Sequence, residues 1–353
     1  MTSRTPSQLG YFMPAEWTQH AATWLSWPKD PETWPGRVVQ VEQIFLEMIS
    51  TLAPHEVVNL LVDDEQTEQT IRTRFDSTDA SNIRFHQIKT VDAWIRDYGP
   101  NFLIDRKGNL AFNNWTFNAW GNKYPELAQD DSIPTRLRAL IQAEQFNPGI
   151  VLEGGSIEVN GSGCVLTTEQ CLLNRNRNPH LSAVEVEEYL KDYLGVTKVL
   201  WLGEGIVGDD TDGHIDDIAR FVAPDVIVTA IEDDPQDANY KLLQDNLRRV
   251  QLMTDVNGRS FEIVRLPMPG IVAGASTAAR DLKRLPASYA NFYIANNVVL
   301  VPLFGHENDR RALEILQMLF PSRRVAGINC EPLVWGMGTI HCVTQQEPGK
   351  FRI

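Results

Sequence analysis

Cysteine is scarce in this chain of 353 residues, which carries four: Cys164, Cys171, Cys330 and Cys342. Their spacing is irregular and no two form a C-x-x-C pair, so neither a disulfide framework nor a finger-type zinc site is expected. Positive charge is also short. Thirty-two Lys and Arg face 46 Asp and Glu, a formal charge of −14, and no basic stripe exists to neutralise a phosphate backbone. Nucleic acid is therefore not an expected partner, whereas a small cationic molecule suits such a surface. Eighteen consecutive apolar residues occur nowhere, and the start lacks the basic-then-apolar pattern of a secretory leader. No membrane partner and a reducing, cytoplasmic location are the corresponding expectations.

What is present belongs to a folded protein. With 43% hydrophobic and 9% aromatic residues, a disordered or collagen-like chain is excluded. At about 150 residues per domain the length suggests two or three domains, or one large repetitive one. Periodicity favours the second. Val41, Ile44, Phe45, Met48, Ile49 and Leu52 follow helical spacing until Pro54, with strand-like runs at 21–27 and 57–62 on either side.

The order strands, polar loop, helix, strand then recurs four times. The second copy has strands 101–104 and 110–112, helix 133–143 and strand 149–152. The third has strands 163–167 and 170–173, helix 183–193 and strand 198–202. The fourth has strands 218–223 and 226–231, helix 239–253 and strand 261–266; the fifth has strands 292–295 and 298–303, helix 310–320 and strand 323–328. Turn-forming pairs at Thr168-Glu169, Pro224-Asp225 and Asn296-Asn297 mark three hairpins. Each ββαβ-like unit alone would expose an apolar face, so units around a common centre, in one domain of residues 1–353, are expected.

Four short segments carry candidate chemistry. Gly336-Met337-Gly338-Thr339-Ile340-His341-Cys342 delivers a thiol from a glycine-rich turn, a nucleophile or one more buried small hydrophobe. Cys164, Cys171 and Cys330 lie in or beside apolar strands and read as buried hydrophobes. Gly208 to Asp217 crowds five carboxylates around His214, so a cation, a protonated histidine or a substrate is expected among them. In an extended stretch His214 and Asp216 share a face, giving a general acid/base beside a carboxylate. No second histidine lies at metal-ligand spacing. Trp94 and Asp97 suit a flat cation, the ring by stacking and the carboxylate by paired hydrogen bonds, although a core Trp and a surface Arg96-Asp97 pair read equally well. Glu153-Gly154-Gly155 ends a strand with a carboxylate and room for close backbone approach, or is a plain tight turn.

Taken together, these segments resemble the agmatine deiminase family, a branch of the guanidine-modifying superfamily. The matching stretches are 13–17, His20, 24–28, 94–100, 117–121, 153–155, 172–179, 209–216 with 219–221, and 340–346, in family order from one end to the other. The resemblance implies a five-bladed α/β propeller (pentein) of ββαβ modules and a thiol mechanism without metal or organic cofactor. It implies Cys342 as nucleophile, His214 as general acid/base, Asp97 and Asp216 as guanidinium-binding carboxylates, and Glu153 orienting the histidine. Trp94 is expected against the substrate, and Asp210 or Asp212 near its amine. A homodimer is expected from the family alone.

The implied activity is hydrolysis of agmatine to N-carbamoylputrescine and ammonia through a covalent amidino-thioether, in polyamine metabolism. Deimination of free or peptidyl arginine is the alternative on the same fold, and a metal-dependent hydrolase or cation-binding protein with a structural Cys342 is the alternative of another class. Two departures stand out. The family usually has Gly-Gly-Gly-Asn where this chain has Gly336-Met337-Gly338-Thr339, and Gly where it has Asn122. Met337, bearing a Cβ, is expected to resist a positive φ and so to alter the closing geometry over the thiol.

Overall fold

The computed structural model describes residues 4–75, 79–270, 273–274 and 283–349. Five sheets among the described residues repeat one pairing rule, an antiparallel pair extended by a parallel strand. Asn101–Asp105 runs antiparallel to Leu110–Asn113, which is parallel to Glu144–Phe146. Glu158–Val159, Cys164–Thr168 and Lys198–Leu202 follow the same rule, as do Ala219–Ala223, Val226–Ile231 and Glu262–Pro267. Tyr293–Ile294, Val298–Leu303 and Arg324–Asn329 form the fourth instance. In the fifth, the late segment Gln345–Pro348 pairs antiparallel with the early strand His20–Ser26, which is parallel to Val57–Val62 and, beyond it, Ile83–Gln87.

Each parallel step needs a crossover, and a helix supplies it: Val38–Leu52, Glu65–Arg72, Ile133–Ile141, Ala183–Leu194, Tyr240–Leu252 and Asn308–Leu319. Val38–Leu52 buries the predicted stripe, Val41, Ile44, Phe45, Met48, Ile49 and Leu52, while Val39 on the other face is exposed. Ala183–Leu194 starts with a capping box between Ser182 and Glu185 and stops at Gly195, whose φ of 65° is left-handed. A Cβ on Gly195 would lie 2.7 Å from Phe12 and the Tyr11 carbonyl, so glycine is required there twice over. The middle strands are covered on both faces, which is why Val298–Leu303 reads as an unbroken apolar run. None of the described helices is long and apolar enough to cross a membrane.

Two expected strands are corrected. Segment 170–173 is not a hairpin strand: Thr168 caps the short helix Glu169–Leu172 by accepting from the Cys171 N–H, and the hairpin partner lies upstream at Glu158–Val159. Thr followed by Glu is a helix-start signal as much as a turn signal. The parallel strand of the second sheet is Glu144–Phe146, whereas 149–152 contributes only an isolated bridge between Val151 and Thr116. The expected Asn296 turn is tied to the start of the first strand: the Asn296 side chain pairs with both the N–H and the carbonyl of His20, at 2.7 and 3.0 Å.

Candidate active site

Cys342 sits just before Gln345–Pro348, after a 3-10 turn, Leu333–Gly336, that is closed by Met337 in the left-handed region, φ 74° and ψ 18°. The expectation that Met337 resists a positive φ is therefore wrong, because the surrounding fold imposes that conformation at a cost of about 1 kcal/mol. Gly338 is indispensable: a Cβ there would stand 2.7 Å from the Trp94 ring and 3.1 Å from Cys342 Sγ. Asn291 ties the turn together. Its Oδ1 accepts from the Thr339 hydroxyl at 2.7 Å and the His341 N–H at 3.0 Å, and its Nδ2 donates to Cys342 Sγ at 3.2 Å.

Around the thiol the field is negative. Cys342 Sγ lies 3.8 Å from Asp216 Oδ2, and burial together with Asp216, Asp217 and Asp97 raises the thiol well above its ordinary range, which a Thr339 backbone hydrogen bond only partly offsets. The resting group is thus a protonated thiol. A cation placed beside it would reverse that.

The other predicted residues converge on Gly155. A Cβ built there would lie 2.6 Å from His214 Nδ1, 2.9 Å from Asp97 Oδ1 and 3.1 Å from Asp216 Oδ2, so three functional groups close round the space a side chain would fill. The Gly155 N–H donates to Asp97 Oδ1 at 2.9 Å, and the Trp120 indole donates to Asp97 Oδ2 at 2.9 Å. Burial raises Asp97, with the charge of His214 opposing and those of Asp216 and Glu153 adding, to about 6. His214 does not lie in an extended stretch: it precedes the 3-10 turn Ile215–Asp217 and reaches Asp97 Oδ1 at 3.8 Å and Glu153 Oε2 at 3.9 Å. Burial would lower its pKa, but Asp97, then Cys171 and Glu153, hold it well above the usual imidazole range. Neither ring nitrogen has an ordinary hydrogen-bond partner, and neither do Asp216 Oδ1 and Glu153 Oε2. Buried polar atoms without a protein partner are uncommon.

Behind this front row stands a second set of charges. Asp216 Oδ2 is 2.7 Å from His341 Nδ1, and His341 Nε2 is 2.8 Å from Glu16 Oε2. Burial would push Glu16 up; Arg220, His341 and Arg96 outweigh it and hold the carboxyl well below the usual range. Against burial, the His341 contact likewise lowers Asp216, which stays anionic. Glu153 is gripped by Arg177 Nε at 2.6 Å, so that Arg177 offsets the burial penalty and keeps it ionised.

At the rim, Asp212 is engaged by Lys123 and Arg177, each at 2.7 Å, and by Asn176 at 2.9 Å. Asp210 accepts from the Tyr124 hydroxyl. Trp120 and Lys123 are presented by Ala119–Asn122, where φ is 54°, 52°, 81° and 60° in succession, a left-handed turn. It costs about 1–2 kcal/mol for each residue with a Cβ. Asn118 holds the turn by accepting from the Gly121 N–H at 2.8 Å. Asn122 takes a conformation that glycine favours, which asparagine tolerates.

All of Cys342, His214, Asp97, Asp216, Glu153 and Trp94 are thus gathered in one buried region, with Asp210 and Asp212 beyond Arg177 and Tyr124. Sequence reasoning missed Glu16, His341, Asn291 and Arg177 as site residues. The first two and Arg177 lay inside matched stretches without an obvious role; Asn291 carried no signal, being an amide between apolar residues.

A family model for the Porphyromonas-type peptidyl-arginine deiminase matches residues 12–348. The chain belongs to that family. An agmatine deiminase of Ectopseudomonas mendocina is 38% identical over 98% of this chain and 97% of its own. In structure, the family member resembles an agmatine deiminase of Enterococcus faecalis with a TM-score of 0.92 at 36% identity, covering 99% of both chains. It also resembles a C. jejuni agmatine deiminase with substrate bound, with a TM-score of 0.85 at 30% identity over 97% of each chain.

Proposed function

We propose that this chain is an agmatine deiminase, hydrolysing the guanidinium of agmatine to N-carbamoylputrescine and ammonia. The observation that carries the reading is the convergence on Gly155 of Asp97, Asp216 and His214, the last two with buried atoms lacking a protein partner, beside the Cys342 thiol. A guanidinium presents paired N–H donors, and Asp97 and Asp216 supply acceptors for them. The relatives' names and full-length likeness support the same substrate.

The steps follow from the electrostatics. A bound guanidinium compensates the carboxylates that keep Cys342 protonated, the thiol proton passes to solvent, and the thiolate attacks the central carbon. Protonated His214 passes its proton to one nitrogen, the C–N bond breaks, and ammonia leaves a Cys342 amidino-thioether. His214, now neutral, takes a proton from water as the water attacks the same carbon. Collapse expels the thiolate, which takes up the hydroxyl proton to restore the resting thiol, and releases the ureido product. Glu153, fixed by Arg177, holds the imidazole charge in place through the cycle, and Trp94 forms the wall beside Gly338 and the thiol.

Asp210, which accepts from the Tyr124 hydroxyl, and Asp212, held by Lys123, Arg177 and Asn176, are the two rim carboxylates we place near the substrate's amine. The five sheets are read as blades of a pseudo-fivefold propeller in one domain, and a cytoplasmic homodimer is the expected working form. Ammonia and ureido product should appear from agmatine and not from arginine or a blocked arginine peptide, and Cys342→Ala should abolish both. Preference for arginine would overturn the substrate. Loss of activity with EDTA, restored by a divalent ion, would overturn the thiol mechanism.

A further inference from the structure

Cys171 touches no reacting atom in the chemistry above, although it helps to keep His214 charged, and the sequence marks it only as a small hydrophobe. The fold nevertheless brings its thiol against the catalytic imidazole. Among the described residues, Glu153, Cys171 and His214 each offer one ligand atom, all within 4.8 Å of one another, and all three are buried. From these positions the geometry points to a soft divalent metal site made of Glu153, Cys171 and His214, at which Zn²⁺ or Cd²⁺ reversibly shuts the enzyme off.

Three observations carry this. The donor set is thiolate, imidazole and carboxylate, which matches zinc and cadmium and is wrong for magnesium or calcium. The donors are open: both nitrogens of His214 and Oε2 of Glu153 lack ordinary hydrogen-bond partners, although both residues are buried. One of them is also pre-oriented. Arg177 Nε holds Glu153 Oε1 at 2.6 Å, which leaves Oε2 turned toward His214 Nε2, 3.9 Å away, much as an outer partner aims a metal-bound carboxylate. Donors around a tetrahedral zinc stand about 3.3–3.7 Å apart, so movements of roughly half an ångström to an ångström close the site. The helix Glu169–Leu172, which bears Cys171, is a single turn capped by Thr168.

The charge balance is favourable. Once the Cys171 thiol and the His214 imidazolium have released their protons to solvent, two anionic donors and a neutral imidazole meet the dication, and the nearby Arg177 cation is offset by Asp212. A metal held there occupies His214, so no proton can pass to the leaving nitrogen. Inhibition in this sense rests on the deiminase reading; metal binding does not.

The test therefore reads binding directly. Cd²⁺ is titrated into wild type, Cys342→Ala and Cys171→Ser, following the ultraviolet thiolate-to-cadmium charge-transfer band, with circular dichroism to show that each variant is folded. Wild type and Cys342→Ala should give the same one-thiolate band. Cys171→Ser should lose it, with affinity falling by at least about a hundredfold. In the turnover assay, Zn²⁺ should inhibit wild type, EDTA should restore activity, and Cys171→Ser should need at least about thirtyfold more zinc for half inhibition. If Cys171→Ser folds poorly, Cys171→Ala serves in its place. A band that survives without Cys171 and vanishes without Cys342 would assign the metal to the nucleophile and overturn the proposal, as would the absence of any band. Binding without deimination of any guanidine would leave the site standing and remove the reading of the reaction.

Discussion

Replacing Asp216 by Asn should make Cys342 more reactive while making the enzyme inactive. A unit charge 3.8 Å from Sγ favours the protonated thiol by about 4 kcal/mol at an effective dielectric near 20. His341 Nδ1, 2.7 Å from the same oxygen, draws on that charge, so only part of that energy is released and the thiol moves down toward its ordinary range. Iodoacetamide, which reacts with the thiolate, should then alkylate Asp216→Asn about tenfold faster than wild type near neutral pH. Peptide mapping fixes the site as Cys342. Deimination should fall by at least about a hundredfold, because one of the two anchors for the guanidinium is gone. Slower or unchanged alkylation would refute the claim that carboxylates hold the resting thiol protonated.

Further predictions test the neighbours. Gly155→Ala inserts a methyl 2.6 Å from His214 Nδ1 and should lower kcat by at least about a hundredfold, with an unchanged circular dichroism spectrum. Arg177→Met strips the cation from buried Glu153 and should cost about 3–5 kcal/mol in urea unfolding, and Arg177→Lys should restore only part, lacking the planar fork. Met337→Gly should keep kcat/KM for agmatine within about threefold, since the backbone there is already left-handed; a larger change would give the Met337 side chain a direct role. On the acid side, kcat/KM should fall as pH drops through about 6, where Asp97 gains a proton and ceases to attract the guanidinium. On the alkaline side it should fall only above the ordinary imidazole range, as His214 loses the proton it must donate. An acid limb near 4 would contradict the raised Asp97.

Much of this was legible from residue order. Helical spacing from Val41 to Leu52 and the strong turn pairs at Pro224 and Asn296 announced their elements because burial and local turn chemistry act together there. Thr168-Glu169 misled because a threonine starts helices and turns alike, and only tertiary pairing of Glu158 with Leu166 decides between them. The pairing of Gln345–Pro348 with His20–Ser26 joins residues more than 300 positions apart, which no local pattern reports. The residues proposed to touch the reacting atoms, Cys342, His214, Asp97 and Asp216, each read two ways alone and took their roles from the family resemblance. Those acting through others did not. Glu16 and His341 matter as a charge chain behind Asp216, Asn291 as a clamp on the thiol turn, and Cys171 only through the ring it faces; such roles exist in the packing alone.

The central claim is a covalent bond between Cys342 and the amidine carbon of agmatine. Enzyme turning over agmatine, quenched in acid within the first turnovers and mapped by peptide mass spectrometry, should carry agmatine less one ammonia on the Cys342 peptide and nowhere else. Steady turnover with no adduct at Cys342, or turnover retained by Cys342→Ala, would contradict the account.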